Sequence, residues 1–164
     1  MSDAPGPATP AAPAAPAINL LALDKQFCFA LYSASHAVTR TYKPLLDRLG
    51  LTYPQYLVML VLWEQDDVLV KDIGARLFLD SGTLTPLLKR LEANGLLARI
   101  RDTVDERQVR IVLSDEGRAL RVRALEVPEQ ILCATNQPVP ELGRLRDALS
   151  NVRSELFNSA DAAE

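Results

Sequence analysis

Cys28 and a set of hydroxyl side chains share one predicted helix, and their spacing places them on the same face. Tyr32, Ser35, Thr39 and Tyr42 follow Cys28 at offsets of 4, 7, 11 and 14 residues. Such steps return to one side of a helix with about 3.6 residues per turn. Phenols and hydroxyls can hydrogen-bond a thiolate and favour its charged form, which is the form that oxidants attack. The pattern indicates a redox-reactive thiol, with a cysteine packed as a small apolar side chain as the alternative.

Cys28 and Tyr42 lie too far apart along one helix to meet within a single chain. A straight helix rises about 1.5 Å per residue, which separates the two by about 21 Å. If both serve one site, a second copy of the chain must bring Tyr42, together with Tyr53, to Cys28. An antiparallel crossing of two such helices would do so. Alternatively, Tyr32, Tyr42 and Tyr53 are core or interface aromatics with satisfied hydroxyls.

Size and composition indicate one ordinary globular domain with an uneven charge distribution. The chain has 164 residues, of which 48% are apolar and 24% charged, and its net charge is −3. These values are those of a single domain with a hydrophobic core. From Lys89 to Arg123, nine Lys or Arg residues stand against six acidic ones. Such a basic zone is typical of a nucleic-acid contact, although a solvated charged face would have the same composition.

The two cysteines, Cys28 and Cys133, form neither a disulfide framework nor a Cys-x-x-Cys metal motif. In a reducing cytosol they are expected to be free thiols, and any bridge between them would be transient or sensory. Together with His36 they lack the ligand spacing of a metal site. The sequence therefore predicts neither a metal nor a cofactor.

The first 17 residues and the longest apolar runs indicate the cellular location. Residues 1–17 are rich in Ala and Pro and are predicted to form a disordered tail. They lack the basic start and continuous apolar core of a signal peptide. No run approaches the roughly 18 apolar residues that a membrane span requires. We therefore expect a cytoplasmic protein with no membrane contact.

Apolar periodicity and breaker residues predict a mainly α chain with a small β-hairpin. Thr52 and Gln55 form a capping box at the start of the second helix. Residues within Asp80–Thr83 cap the fourth helix, and bends are expected at Pro44 and Pro128. The predicted elements are helices over Leu20–Leu49, after Thr52, over Lys71–Leu77 and from Asp80–Thr83 to Asn94–Gly95, strands over Leu96–Arg101 and Gln108–Leu113, a long fifth helix after Ser114, and a last helix over Glu141–Asn158.

Two short helices followed by a hairpin predict a winged helix-turn-helix. In this arrangement the second helix of the pair enters the major groove of DNA, and the hairpin tip reaches the neighbouring minor groove or backbone. Long helices at both chain ends exceed what one wing domain needs, and their apolar stripes favour a homodimer. The predicted single domain covers 18–158, with a DNA-binding lobe at about 52–113 and dimerisation helices at about 18–49 and 114–158.

Three segments of the chain resemble the organic hydroperoxide sensors known as OhrR, a branch of the MarR family of repressors. They are Cys28–Glu64, Leu79–Gly117 and Val127–Ala134. The resemblance implies that Cys28 is the peroxide-sensing thiol. It also implies that a partner subunit presents Tyr42 and Tyr53 to this thiol, that Tyr32 belongs to the same cluster, and that Cys133 closes a disulfide between subunits.

The residues expected to contact DNA lie on the fourth helix and at the hairpin tip. Side chains and free N–H groups at the start of the recognition helix meet bases and phosphates, and cations further along suit the flanking backbone. At the tip, an acidic partner can hold an arginine extended for insertion into the minor groove. The predicted DNA-binding residues are Ser81, Thr83, Thr85, Lys89, Arg90, Asp105 and Arg107.

These observations favour a repressor whose reduced dimer binds operator DNA and is released when an organic hydroperoxide oxidises Cys28. One alternative is a MarR-type repressor that binds a small aromatic ligand, with Cys28 incidental. Another is a thiol peroxidase with Cys28 and Cys133 as its attacking and resolving thiols. Neither cysteine is surrounded by a thioredoxin-like pattern, and a winged hairpin has no place in such a catalyst. The sequence therefore predicts a protein that is not an enzyme.

Overall fold

Helices dominate the computed structural model, which describes residues 19–162. The tail predicted over residues 1–17 lies outside the described residues. The chain divides into two compact units, Met1–His36 and Ala37–Glu164. None of the described helices is long and apolar enough to cross a membrane.

The described part of the first unit contains a 3-10 turn and the start of helix α1. The turn covers Leu23–Lys25, and α1 covers Phe27–Asp47. The predicted start of this helix at Leu20 is therefore wrong by about two turns. The side-chain amide of Gln26 donates to the carbonyls of Leu20 and Ala22, which in a continuous helix would accept backbone N–H groups four residues on. Gln26 itself is extended, with φ −83° and ψ 113°, so the regular helix can begin only after it.

The second unit contains the end of α1 and a helix-turn-helix with its wing. Gly50, with φ +69°, ends the turn after α1. At the next helix the Thr52 N–H donates to Gln55 Oε1 at 2.8 Å, which is the predicted reach of Gln55 back to the cap. The elements that follow are α2 (Tyr53–Glu64), β1 (Val68–Leu69), α3 (Val70–Leu77), α4 (Ser81–Ala93), β2 (Leu97–Arg101) and β3 (Val109–Leu113).

The wing is a three-stranded antiparallel sheet in the order β1-β3-β2. Leu97 of β2 pairs with Leu113 of β3, and Val68 of β1 pairs with Ile111 of β3. The hairpin was predicted, whereas β1 was not, because two residues are too short for a strand pattern. The pairing of β1 with β3 attaches the wing to the segment that precedes α3.

The hydrophobic core of the second unit lies where the helix-turn-helix, the sheet and the helix that follows them meet. Its fully buried members come from α1, α2, α3, α4 and β3, so one cluster holds the recognition helix and the wing together. The largest buried side chains are Leu46, Val58, Met59, Leu62, Ile73, Leu84, Leu88, Leu91 and Ile111.

The predicted long fifth helix is two helices. They are α5 (Asp115–Ala124) and α6 (Glu126–Thr135), with Leu125 between them. Pro128 explains the break: it has no N–H to donate to the Ala124 carbonyl, and its ring crowds that carbonyl. The last helix, α7, covers Val139–Asp161 and so is longer at both ends than predicted.

Close contacts and hydrogen bonds attach α5 to the wing and to α2. The indole N–H of Trp63 in α2 donates to the Gly117 carbonyl at 2.8 Å, and Ser114, which caps α5, donates to the Gly95 carbonyl at 2.6 Å. A Cβ on Gly117 would lie 2.0 Å from the Leu96 carbonyl oxygen. Only glycine allows α5 to approach the start of the wing this closely.

Replacing Gly117 with alanine should therefore destabilise the fold, because a backbone contact would have to open. We expect the free energy of unfolding to fall by about 2–3 kcal/mol, measured by urea denaturation with the fluorescence of Trp63. Gly143→Ala in α7 is the matched control, because a Cβ at that position meets no atom within 4 Å. Alanine should there be neutral or stabilising by about 0.5–1 kcal/mol. Equal losses from the two substitutions would contradict the close contact at Gly117.

Candidate thiol site and nucleic-acid interface

Cys28 occupies the first turn of α1, one residue after the helix begins at Phe27. Its side chain is exposed and forms no disulfide. Tyr32 follows one turn later and is also exposed, and its ring lies against His36 with 4.3 Å between ring centroids. His36, to which the sequence assigned no functional role, therefore packs against one of the proposed thiolate-stabilising phenols.

Tyr42 and Tyr53 form an aromatic cluster in the second unit. Their ring centroids are 4.7 Å apart, and Tyr56 of α2 lies 5.9 Å from Tyr42. Burial, followed by the neighbouring phenols of Tyr53 and Tyr56, raises the pKa of Tyr42 to about 12. Burial also raises the pKa of Tyr53, and burial and Tyr53 raise that of Tyr56. Each of the three phenols therefore holds its proton more strongly than an ordinary tyrosine.

Tyr56 is a member of this cluster that the sequence reasoning missed. It is buried and continues the aromatic contact to Trp63, whose ring centroid is 6.2 Å away. Its position three residues after Tyr53 was the available signal, because side chains three apart on a helix are neighbours. Within the apolar run of α2, however, Tyr56 is indistinguishable from a plain core residue.

Cys133 lies in α6 and is exposed, with no disulfide. Cys28 and Tyr32 belong to the first unit, whereas Tyr42, Tyr53 and Cys133 belong to the second. Within the second unit the structure brings Tyr42 and Tyr53 together. Among the described residues, no group of three or more His, Cys, Asp or Glu side chains could hold a metal ion.

The start of the recognition helix α4 is organised by Asp80. Its carboxylate accepts from the Thr83 N–H at 2.9 Å and from the Thr83 hydroxyl at 2.8 Å, and these bonds lower its pKa. Thr85 donates its hydroxyl to the Ser81 carbonyl at 2.7 Å. Ser81 and Thr83 are exposed at this end, and Lys89 and Arg90 are exposed further along α4. The helix start is thus rigidly capped while its polar side chains face outward.

The wing tip is organised by two further carboxylates. Asp102 is buried and accepts from the N–H groups of Val104 and Asp105 at 2.8 and 2.9 Å. Asp105 accepts from Arg107 Nε at 3.1 Å and from Gln108 Nε2 at 3.1 Å. The Arg107 side chain remains 91% exposed. Its pairing with Asp105 therefore orients the guanidinium without burying it.

A groove of about 310 Å³ joins the recognition helix to the wing. Ser81 and Thr85 line it from α4, and Arg107 lines it from the wing. Lys71, at the start of α3, and Arg99 of β2 line the same groove. Lys71 was missed by the sequence reasoning, because nothing in its local pattern separates it from an ordinary surface lysine.

Other wing arginines are held by acidic partners. Arg99 Nε lies 2.7 Å from Glu92 Oε2, and Arg110 bridges Asp67 at 2.6 Å and Asp102 at 3.1 Å. These hydrogen bonds lower the pKa of Glu92 and raise that of Arg110. For Arg99 and Arg110 the pairing supports a role in fixing the wing.

Comparison with known proteins places this architecture in a family. The model of the SarA/Rot transcriptional regulators matches residues 40–122. The regulator TtmR of Methylorubrum extorquens (strain PA1) is 52% identical over 143 residues, which are 87% of this chain and 73% of that protein. The organic hydroperoxide resistance transcriptional regulator of Bacillus subtilis (strain 168) is 48% identical over 129 residues, 79% of this chain and 88% of that protein.

Solved structures of AbfR, a protein of Staphylococcus epidermidis, have the same fold. Reduced AbfR bound to DNA is 38% identical and has a TM-score of 0.68, over 82% of this chain and 94% of that chain. Disulfide-formed AbfR is 35% identical with a TM-score of 0.56, over 85% and 92%. The predicted winged helix-turn-helix is thereby confirmed. The chain belongs to the MarR-type family of transcriptional regulators, on the branch of the organic hydroperoxide regulators, and is not an enzyme.

Proposed function

We propose that this chain is a redox-sensing repressor whose reduced homodimer binds operator DNA and dissociates after an organic hydroperoxide oxidises Cys28. The domain responsible spans about residues 18–158. The observation that carries the proposal is the placement of Cys28 as an exposed thiol in the first turn of α1. In a family with a hydroperoxide regulator and a protein solved in reduced and disulfide forms, such a thiol is the natural sensor.

Cys28 lies in the first turn of α1 with its side chain exposed, which gives a peroxide access to the sulfur. Tyr32 lies one turn along α1, where its hydroxyl can donate a hydrogen bond to the sulfur.

Tyr42 and Tyr53 fit the role of donors supplied by a partner subunit. Both phenols hold their protons more strongly than an ordinary tyrosine, and a protonated phenol can donate a hydrogen bond to a thiolate, whereas a phenolate cannot. Their contact at 4.7 Å presents the two rings as one unit. We therefore assign Cys28, Tyr32, Tyr42 and Tyr53 to one composite site in the dimer.

The redox step balances with the hydroperoxide as the only oxidant. The Cys28 thiolate attacks the terminal peroxide oxygen, the O–O bond breaks, and the products are a sulfenic acid and an alkoxide that becomes the alcohol. The Cys133 thiol of the other subunit then attacks the sulfenic sulfur, forming a disulfide and releasing water. Exposure of Cys133 on α6 is consistent with this second role.

The dimer is supported by the surface of α7. None of its described side chains is buried in the single chain, although it is 23 residues long. Apolar side chains on it are exposed, including Leu145 at 55% and Leu156 at 59%. A helix with an uncovered apolar face requires a partner, and a second copy related by a twofold axis is the simplest one.

The proposed DNA contact places α4 in the major groove and the wing tip in the minor groove. At the start of α4, Ser81 and Thr83 are exposed and Thr85 is half-buried, and Lys89 and Arg90 would lie beside the flanking phosphates. Arg107, held by Asp105, extends into the minor groove. In a dimer the two recognition helices would meet half-sites about 34 Å apart.

Cysteine variants test the redox assignment. Cys28→Ser should bind DNA but ignore cumene hydroperoxide in a gel-shift assay, because no thiolate remains to be oxidised. Cys133→Ser should still form the sulfenic acid at Cys28, detected by dimedone labelling and mass spectrometry, but lose the covalent dimer on non-reducing gels. Peroxide-driven release of Cys28→Ser, or a covalent dimer of Cys133→Ser, would refute the corresponding assignment.

Replacing Tyr42 with phenylalanine tests the phenol cluster. The substitution should remove the most alkaline tyrosine step from a spectrophotometric titration, because the pKa of Tyr42 is raised to about 12. The raised pKa also makes the stability of the fold depend on pH. The stabilisation that comes with it is fully present below pH 10.0, the ordinary pKa of tyrosine, and is lost as the pH rises toward 12. Thermal melts of Tyr42→Phe should therefore decline less over this range. Wild-type behaviour in both measurements would contradict the buried phenol.

The same variant should oxidise more slowly at Cys28. Loss of one hydrogen bond to a charged group should reduce the oxidation rate by about tenfold, measured by stopped-flow with cumene hydroperoxide in the Cys133→Ser background. The altered titration combined with an unchanged rate would place Tyr42 in the cluster but outside the thiol site.

Replacing Arg107 with alanine tests the wing contact. Operator affinity should fall about tenfold, and the slope of log K against log salt concentration should decrease by about one, because one cation leaves the interface. Arg146→Ala is the control, since Arg146 is an exposed arginine on α7 paired with the adjacent Asp147. It removes the same charge away from the groove. An unchanged slope for Arg107→Ala would exclude this arginine from the interface.

A further inference from the structure

An aromatic clamp connects the last helix to the turn that precedes the recognition helix. Phe78, in the turn between α3 and α4, stacks on Phe157 of α7 with 5.4 Å between centroids and 22° between ring planes. The Arg153 guanidinium lies 4.2 Å from the centroid of the Phe78 ring. We use the name aromatic clamp for Phe78, Arg153 and Phe157.

The backbone at Phe78 is unusual for an aromatic residue. Phe78 adopts a left-handed conformation, with φ 56° and ψ 40°, which glycine or asparagine adopts with less strain. Its N–H donates to the Gly74 carbonyl and closes α3. The ring nevertheless remains 53% exposed rather than entering the core. A bulky side chain held in a strained turn and directed outward indicates a contact that the structure requires there.

The partners of Phe78 are arranged to hold its ring. Arg153 and Phe157 are four residues apart on α7 and therefore lie on the same face of the helix. One offers a cation to the ring face and the other a stacking surface. Asp80, which caps α4, follows Phe78 by two residues, so a displacement of the Phe78 ring moves the start of the recognition helix.

We propose that Phe78 is a positioning residue through which α7 sets the placement of the recognition helix in the dimer. The inference rests on the proposed dimer, in which α7 packs against the partner subunit. Through the clamp, the dimer interface then fixes the separation of the two recognition helices. The clamp thereby determines how strictly the protein selects the spacing between DNA half-sites, a property that no single half-site contact can provide.

A spacing assay with Phe157→Ala tests the clamp. The DNA is a duplex selected by the reduced wild-type protein from a random-sequence pool, together with versions carrying one additional or one fewer base pair between the half-sites. At the selected spacing, Phe157→Ala should bind about threefold to tenfold more weakly, the range expected for loss of an aromatic pair. Its penalty for altered spacing should be smaller than that of the wild type, because the recognition helices are less firmly placed.

Two variants serve as controls on the same helix. Phe157→Tyr keeps the ring, and its hydroxyl can reach solvent because Phe157 is 48% exposed, so it should retain wild-type affinity and spacing penalty. Asn158→Ala removes an exposed neighbouring side chain and should also behave as wild type. Binding-competent protein is determined for each variant by titration against excess selected duplex, so that loss of folded protein is separated from loss of affinity.

The outcomes separate the clamp from the dimer. An equal loss by Phe157→Ala on all duplexes would mean a merely structural contact and would overturn the inference. Wild-type affinity and spacing penalty in Phe157→Ala would overturn it as well, while leaving the dimer in place. A wild-type protein that is monomeric and indifferent to spacing would overturn the proposed dimer, and the inference with it.

Discussion

The approach of α5 to the wing at Gly117 is the constraint on which the rest of the second unit depends. A Cβ at this position would lie 2.0 Å from the Leu96 carbonyl oxygen, so the two backbones are already as close as they can be. The Trp63 indole donates to the Gly117 carbonyl, and Ser114 caps α5 while donating to Gly95. Each such bond contributes about 1 kcal/mol, but together they make α2, α5 and the start of the wing one body. A movement of α5 must therefore reach α2 and the start of the wing.

Acidic side chains hold some arginines of the second unit in place and leave others exposed. Asp66 accepts from the Leu113 N–H at 2.8 Å and from Arg118 at 2.7 Å; although burial opposes the effect, these bonds lower its pKa. The pKa values of Asp102 and Asp105 are lowered as well, by backbone N–H donors and by the Arg107 side chain respectively. These hydrogen bonds therefore favour the charged form of each carboxyl group, which is the form that accepts them. Arg110 and Arg118 are used inside the protein in this way, whereas Arg107 is oriented but left exposed.

Although the chain has a net charge of −3, the ion pairs of the wing arginines leave a basic surface at the groove beside α4. Ion pairs between exposed side chains contribute little to stability, so the value of these contacts lies in the positions they give to the arginines. The groove beside α4 is lined by Lys71, Arg99 and Arg107. A local excess of cations attracts the phosphate backbone even when the whole molecule is acidic.

Local signals in the sequence predicted the helix-turn-helix, the hairpin and the Gln55 contact at Thr52, because each depends on neighbouring residues. The sequence grouped Tyr42 and Tyr53 as phenols that a partner subunit presents to Cys28; the structure places the two rings side by side, and their role at the thiol stays a prediction. Features that depend on distant residues were not predictable. The two-residue strand β1 exists only through its pairing with β3. The ring of Phe78 stacks on Phe157, which is a partner far along the chain.

The predicted start of the first helix and the predicted continuity of the fifth helix were wrong for a different reason. The apolar pattern continues through both points. At the first, the Gln26 side chain takes carbonyls that the helix would need, and an amide in an apolar stripe gives no warning of that role. At the second, Pro128 was recognised as a bend, but whether a proline bends or ends a helix depends on how the neighbouring turns are packed. The structure interrupts the helix at one residue, Leu125, whose φ of −61° and ψ of −27° stay in the helical region.

The interruption between α5 and α6 reduces the structural rearrangement that the proposed disulfide requires. A disulfide requires Cα atoms within about 7 Å, so the helix that carries Cys133 must be able to adjust its position. In one continuous helix such an adjustment would disrupt several backbone hydrogen bonds while disturbing the segment fixed to the wing. Here the series of helical backbone hydrogen bonds is already interrupted. The Leu125 N–H donates only to the Val122 carbonyl, at 3.4 Å, and Pro128 has no N–H to donate. The segment held at Gly117 and the segment that carries the thiol are therefore separate helices, so α6 can be displaced without first unwinding α5.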